Sequence, residues 1–387
     1  MRRPLAQLIH YQRNAVVPPL ISQSARFSLF LSCRRRDQEP KTEKGEAVGE
    51  TSNTAIIANK ISKDIFKVFH WEMHQQHDAN FDCVLADHKT PSGNQKKQHP
   101  GDVVFHYIDP YLNKRIHLHT DLKSYSKNSL QQKKIREALQ SLAMTIECAA
   151  VSKDWRQTFC GVDQEPSEVR GLLFVANHDN KAPDAFDEQI LKISAKNLPV
   201  AKGQQIHVLG PKSISQLFSV ATDIKLAIQD KELSPRYRFL YPDLTLWKRQ
   251  RPDDERIGAT IETLMSPYFI IKHDEVRDEQ DKSSVILRSG SLVYYSRAGD
   301  TVEEFVYLLD SLLRYQLVNA KEIVRIRVFN PNRSGALKNN FEKAKERYCR
   351  TWGFEHGREQ EIRGITIDSI AKIEHNYCPQ EIGWSEE

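Results

Sequence analysis

The stretch that decides the fold is His99-Pro100-Gly101-Asp102-Val103-Val104-Phe105, followed after a turn by Arg115-Ile116-His117-Leu118-His119-Thr120-Asp121-Leu122-Lys123. Side chains of an extended chain alternate between faces. Ile116, Leu118, Thr120 and Leu122 therefore share one side, and His117, His119, Asp121 and Lys123 share the other. Asp102 stands at the mouth of the first strand and Asp121 near the end of the second, nineteen residues on. That is the length of a hairpin, and pairing its strands sets the two carboxylates side by side.

Upstream, Ile56, Ile57, Ile61, Ile65, Phe66, Val68 and Phe69 recur at helical spacing and predict a first core helix ending near Trp71. Phe81 to Leu85 reads as a short strand, Lys89 to Gln98 as an exposed loop and Val103 to Ile108 as a second strand, with Asp109-Pro110 opening the turn. Downstream, Leu130 to Val151 carries Ile135, Leu139, Leu142, Ala143 and Ile146 on one helical stripe. The continuous apolar run Gly171 to Ala176 predicts a strand covered on both faces. The order is helix, three strands, helix, strand. A further strand, Gln205 to Leu209, and a helix opened by Gly210-Pro211 follow it.

With 387 residues the chain suggests two domains. Residues 1–42 carry seven arginines and only Asp37, Glu39 as acids before Lys41. They read as a disordered basic arm, as an extension outside the working protein, or as an organellar transit peptide. Residues 43–232 form the first α/β domain, 233–256 a connector rich in proline and arginine, and 257–387 a second α/β domain. In the latter the pattern predicts a strand at Tyr268 to Lys272, a hairpin across Ser289-Gly290 and a helix with Phe305, Leu308, Leu309 and Leu312. Strand Ile323 to Phe329, a basic helix Gly335 to Tyr348 and a last strand Ile365 to Ile373 complete it.

Hydrophobic residues at 39% and charged ones at 28% describe an ordinary globular protein. No apolar run approaches the roughly 20 residues that span a bilayer, so no membrane role is expected. A net charge of +5 favours phosphate-bearing partners mildly. The six cysteines form no C-x-x-C pair, which argues against a disulfide framework or a zinc ribbon and for a reducing, cytoplasmic setting.

Acid-x-lysine triplets recur in so charged a chain, yet only Asp121-Leu122-Lys123 ends an alternating strand with a second acid opposite. Two adjacent carboxylates make an oxygen-rich pocket for Mg2+, with Mn2+ as an alternative. Such an ion acidifies bound water and offsets charge on a phosphorane-like transition state. Lys123 on the same face can orient or deprotonate the attacking water.

This arrangement resembles the PD-(D/E)xK nuclease superfamily, whose restriction-endonuclease-like core has the same element order. The resemblance covers about residues 43–230 and implies that Asp102 and Asp121 bind metal, that Lys123 serves the water, and that an acid on the first helix joins them. Glu50 is the best match for that acid, with Glu46 as a rival. One residue, Gly101, intervenes between Pro100 and Asp102, a departure from the family pattern. The phrases IFKVFHWE (65–72), NFDCVLADH, HPGDVVFHYIDPYLNK and HLHTDLKSYSK look like nuclease components of prokaryotic antiphage defence systems, which implies a second protein subunit.

Other residues carry weaker signals. His70 and His74 are spaced to share a zinc ion, with His77 nearby, but no cysteine or H-E-x-x-H pattern supports them and exposure at a helix end explains them. His117 and His119 either contact phosphate or face solvent. Lys114, Arg115, Lys127, Lys133 and Lys134 are candidates for gripping nucleic acid and Tyr125 for stacking on a base, while Lys133, Lys134 and Arg136 equally fit the wet face of a helix. Arg325, Arg327 and Phe329 alternate onto one strand face, and Lys338, Lys343, Lys345, Arg347 and Arg350 load the next helix. These form a nucleic-acid platform or a subunit interface. The reading is an Mg2+-dependent endodeoxyribonuclease acting on DNA, compatible with a homo-oligomer. The alternative is a non-catalytic nucleic-acid-binding or scaffold protein that kept the fold, and a ribonuclease is a third option.

Overall fold

Hydrophobic spacing in residues 54–69 produces helix α1 (Glu46–Asp64) and a single 3-10 turn (Phe66–Phe69), which together bury Ala58, Ile61, Ile65, Phe66 and Phe69. The computed structural model describes residues 46–90, 92–160, 166–183, 186–193, 198–242 and 257–379, and for 46–53 the backbone alone. The N-terminal extension expected over 1–42 and residues 243–256 of the expected connector lie outside the described residues. The turn ends at His70, whose φ of 59° reverses the chain into strand β1 (Glu72–Met73).

Two short strands, β2 (Phe81–Asp82) and β3 (Gln98–His99), pair only with each other. Then come β4 (Val103–Asp109), β5 (Lys114–Tyr125), helices α2 (Gln132–Val151) and α3 (Lys153–Phe159), and β6 (Ser167–Asn177). Helix α4 (Phe186–Leu191), β7 (Ile206–Leu209) and α5 (Pro211–Gln229) follow. The first sheet runs β1-β4-β5-β6-β7. Its first three strands are antiparallel; β6 joins β5 in parallel after the α2–α3 crossover, and β7 joins β6 in parallel after α4. The strand expected at Phe81 to Leu85 is not in this sheet, because the reversal after the 3-10 turn delivers Glu72–Met73 to the edge of β4 instead.

Alternation along β4 to β6 splits the core as expected. Phe105, Ile116, Leu118, Leu172 and Phe174 pack toward α1 and α5, and Val104, Leu173 and Val175 pack toward α2 and α3. Each fully buried apolar side chain of this size contributes about 1.5–3 kcal/mol relative to exposure.

The second sheet has five strands in the order 366–369, 323–328, 290–295, 268–273 and 237–239. Its edge strand β8 (Tyr237–Phe239) comes from the segment expected as a connector. After helix α6 (Ile261–Leu264) come β9 (Tyr268–His273), a ribbon of β10 (Val276–Arg277) with β11 (Val285–Leu287), and β12 (Gly290–Tyr295). Helix α7 (Val302–Arg314), β13 (Ile323–Val328), helices α8 (Leu337–Trp352) and α9 (His356–Arg363), and β14 (Thr366–Ser369) finish it. No hairpin forms across Ser289-Gly290: β12 pairs antiparallel with β9 and parallel with β13. Gly290 permits this, since a Cβ there would lie 2.2 Å from the Ile323 carbonyl oxygen.

One apolar layer joins the sheets. Phe69 meets Phe239 and Phe269, each at a ring separation of 6.3 Å, and Arg170 of β6 pairs with Glu262 of α6 at 3.0 Å. Among the described residues no helix is long and apolar enough to cross a membrane.

Candidate active site

The β4–β5 ladder pairs Val103 with Thr120, so Asp102 and Asp121 fall opposite each other as the next pair outward. Both point to the α2 side of the sheet. Gly101 makes the approach to Asp102 by pressing against the Ala79 backbone, where a Cβ would come within 2.3 Å of the carbonyl oxygen. That contact requires a residue without a side chain at position 101. The Asp102 Oδ2 accepts the Leu122 N–H at 3.1 Å, which ties its carboxylate to the backbone between Asp121 and Lys123. The Lys123 Nζ lies 2.9 Å from Asp121 Oδ1.

Asp102 and Asp121 line a small cleft with Pro100 before β4, His119 and Thr120 on β5, and Ser141, Leu142 and Thr145 on α2, and Lys123 reaches Asp121 from beside it. The Asp121 side chain is 13% exposed and that of Lys123 26%, so the pair is sheltered without being sealed. Burial pushes the Asp121 carboxyl up to about 7; Lys123 opposes the rise, and the adjoining Asp102 carboxyl adds to it. Two carboxyls in hydrogen-bonding contact, with one ammonium against Asp121, gather like charge in one place. A donor set of paired carboxylates, partly desolvated and carrying surplus negative charge, fits a hard divalent cation.

Lys96, in a loop expected to be merely exposed, is half-buried beside the cleft. Its Nζ donates to Ser141 Oγ at 3.2 Å and it interacts electrostatically with Asp121, while burial lowers its pKa. Neither Lys96 nor the α2 wall had a sequence signal, because their proximity to Asp121 is created by packing of α2 on the sheet.

The remaining candidates separate. Glu50 and Glu46 fall on α1, and their side chains lie outside the described residues. Lys114 and Arg115 sit at the opposite end of β5, roughly 20 Å from Asp121 at about 3.3 Å per residue, where Lys114 pairs with Glu168 at 3.3 Å and Arg115 donates to His106 at 3.1 Å. Both are removed from the cleft. Tyr125 is 1% exposed in the core below α2 and presents no ring face to a base. Lys127 and Lys133 are exposed and Lys134 is half-buried. The latter two precede Ser141 by about two helical turns, roughly 12 Å.

The histidines expected on the working face, His117 and His119, are buried and do not face solvent. The His119 Nε2–H donates to the Pro100 carbonyl at 3.0 Å, and its Nδ1 accepts from the Trp155 indole at 3.3 Å. This network fixes a neutral ring, and burial lowers its pKa to about 4. His119 thereby braces the segment leading to Asp102. His70 packs on Tyr237 and Phe239, whereas His74 packs on His106 and His117, so the two do not share a ligand.

The basic residues of the C-terminal half divide: Arg325, Arg327 and Lys345 are tied inside, while Lys338, Lys343, Arg347 and Arg350 are exposed on α8. Arg327 donates to Asp223 of α5 at 2.7 Å and also pairs with Glu232, and Arg325 donates to the Glu232 carbonyl. Lys345 is buried, donating to the Arg363 and Ile365 carbonyls. Arg347 pairs with Glu303 at 2.6 Å and Lys338 with Asp368 at 3.3 Å. The two arginines tie β13 to α5 and the turn after it rather than forming an outward platform.

Among known families, residues 45–213 match the family model described as the GAPS4 protein PD-(D/E)XK nuclease domain. The matched segment contains β1 to β7 with Asp102, Asp121 and Lys123, and its α/β arrangement is restriction-endonuclease-like. No curated protein and no solved structure matches the chain.

Proposed function

From the match of residues 45–213 to the GAPS4 PD-(D/E)XK nuclease domain model, we propose that the protein hydrolyses DNA phosphodiester bonds using Mg2+ or Mn2+. The observation that carries this reading is the pairing of Asp102 and Asp121 in a cleft under α2, with Lys123 against Asp121 on the same face. Asp102 and Asp121 would hold the ion, with Glu50, or Glu46, as the third acid from α1. When bound, the ion supplies acidified water and offsets charge on the phosphate oxygens. Lys123 holds an ammonium beside Asp121, where it orients the attacking water and neutralises a phosphate oxygen. Lys96 adds a second cation at the rim. Lys127, Lys133 and Lys134 beyond it offer phosphate contacts whose strength falls with salt.

GAPS4 is an antiphage defence component, which supports a role for this nuclease in defence within the cytoplasm, alongside a second protein subunit. The test uses the full-length chain with plasmid, linear duplex, single-stranded DNA and RNA, in Mg2+, Mn2+ or EDTA. DNA cleavage that needs metal, and that disappears in Asp121→Ala and Lys123→Ala while DNA binding persists, supports the proposal. Undiminished cleavage in both variants overturns the site. A wild-type chain that binds DNA but cuts nothing in either metal is instead a nucleic-acid-binding protein that kept the fold.

A further inference from the structure

Beside the acidic cleft, four residues that cysteine spacing in the sequence did not connect converge on one point. Cys83, His88 and His99 come from the segment that precedes β4, and Cys148 comes from α2, and one ligand atom from each lies within 4.8 Å of the other three. Cys83 Sγ is 3.7 Å from Cys148 Sγ and 3.5 Å from His88 Nδ1; His88 Nδ1 is 3.3 Å from Cys148 Sγ and 3.4 Å from His99 Nε2. We propose that these four side chains bind a structural Zn2+ that clips the segment leading to Asp102 onto α2.

Four of the six separations match a tetrahedron, and the remaining two, from His99 to the two cysteine sulfurs, lie within 4.8 Å. Zn–S bonds of about 2.3 Å and Zn–N bonds of about 2.05 Å place ligand atoms about 3.8 Å apart for S and S, 3.5 Å for S and N, and 3.4 Å for N and N. The four observed separations fall within a few tenths of an ångström of these. A disulfide would need sulfurs about 2.05 Å apart, and it would leave unexplained two imidazole nitrogens aimed at the same point. The thiolate and imidazole donors are soft and select zinc over Mg2+. All four positions are protein ligands, and His88, His99 and Cys148 are buried, so no site is left for substrate.

The outer contacts fit as well. His88 Nε2 lies 3.1 Å from Glu147 Oε2, and His99 Nδ1 lies 3.2 Å from Thr145 Oγ1, so each imidazole is oriented through the nitrogen that faces away from the cluster. Thr145 also lines the acidic cleft, and His99 is three residues before Asp102. Lys96 rides on the same segment. The cluster therefore fixes, through His99-Pro100-Gly101, where Asp102 stands relative to Asp121, and its ligands act as positioning residues.

The experiment measures metal and free thiols in the full-length protein purified under reducing conditions without chelator. About one Zn2+ per chain is expected, lost in Cys83→Ser and in Cys148→Ser and retained in Asp121→Ala. Exchange of the wild-type protein into Co2+ should give the intense visible bands of a tetrahedral centre with two thiolates, a readout that needs no variant to fold. Background zinc in the wild type, undiminished zinc in both cysteine variants, a Co2+ spectrum without thiolate bands, or a Cys83–Cys148 disulfide found by thiol counting would overturn the proposal. Loss of zinc in Asp121→Ala would also overturn it, by placing the ion in the acidic cleft. Because zinc content is read without DNA, a failure of the nuclease reading leaves this result standing, and the converse.

Discussion

Both halves of the molecule are built on a five-stranded mixed sheet and both bury charge, but they dispose of it differently. In the second sheet each buried cation has its own anion or carbonyls: Arg327 with Asp223 at 2.7 Å, Lys272 with Glu322 at 2.5 Å, Lys345 with Glu342 at 2.8 Å. In the first sheet Asp102 and Asp121 crowd together, with Lys123 on Asp121, and the surplus negative charge faces a cleft. Satisfied charge is architecture; like charge gathered in a cleft is held there against a desolvation cost. The comparison assigns binding to the first sheet and cohesion to the second.

The largest effect tests the first side of that contrast. Asp121→Ala should lower the cleavage rate at least about 10³-fold, roughly 4 kcal/mol of transition-state stabilisation, while the thermal midpoint stays level or rises because a buried carboxyl near another is removed. A fall in both activity and midpoint would make Asp121 a structural residue and erase the contrast. Arg327→Ala tests the other side. It leaves Asp223, which is 2% exposed, with Tyr294 OH at 2.7 Å as its main remaining donor. Breaking a buried pair in this way should cost about 3 kcal/mol of stability in chemical denaturation and leave cleavage per folded molecule unchanged.

What the sequence made legible follows from range. Asp102, Asp121 and Lys123 could be placed because alternation and hairpin length are local rules, and the helix, three strands, helix, strand order because each element carries its own periodicity. Arg325 and Arg327 show the same alternation, yet their partners, Asp223 and Glu232, lie about ninety to a hundred residues upstream. The pattern therefore looked like an outward basic stripe. Tyr125 departs from its expected stacking role for a related reason: alternation gives the face of a strand, not whether a helix covers it. α2 and α3 cover that face, leaving only the end at Asp121 and Lys123 open. The Cys83, His88, His99 and Cys148 cluster needs a loop and a helix brought together by the fold, so no short spacing could announce it.

A third, intermediate effect comes from the covered face. His74, His106 and His117 stack on one another at ring separations of 4.6 to 5.8 Å. Burial holds the three pKa values down, to about 4 for His74 and His106 and about 3 for His117, with neighbouring His and Arg charges adding to the effect. In the unfolded chain they take up protons near pH 6.5. Stability is therefore full above about pH 6.5 and falls as the pH drops toward 4, where the unfolded state binds more protons. Between pH 7 and pH 5 each ring should cost about 1–2 kcal/mol at most, less than additively because they titrate together. Denaturation at the two pH values reads the total. Hydrogen exchange should show the first sheet loosening before the second, and His117→Phe should shrink the pH effect; simultaneous loosening would remove this distinction between the halves.

The smallest effect concerns the exposed lysines and arginines, which both halves carry. Lys133 and Lys134 lie about two turns from the cleft wall on α2, whereas Lys343 and Arg350 lie exposed on α8, a helix of the second half. If DNA runs across the first sheet's cleft, Lys133→Ala with Lys134→Ala should weaken binding a few-fold and reduce the slope of log affinity against log salt by about 1–2, one phosphate contact accounting for about 0.9. Lys343→Ala with Arg350→Ala should change neither. The slope matters more than the affinity here, because a lost helix-surface charge that touches no phosphate lowers long-range attraction but releases no counterion. Equal slopes for the two double variants would spread the DNA over both halves, and the division of labour between the sheets would then hold for catalysis but not for binding.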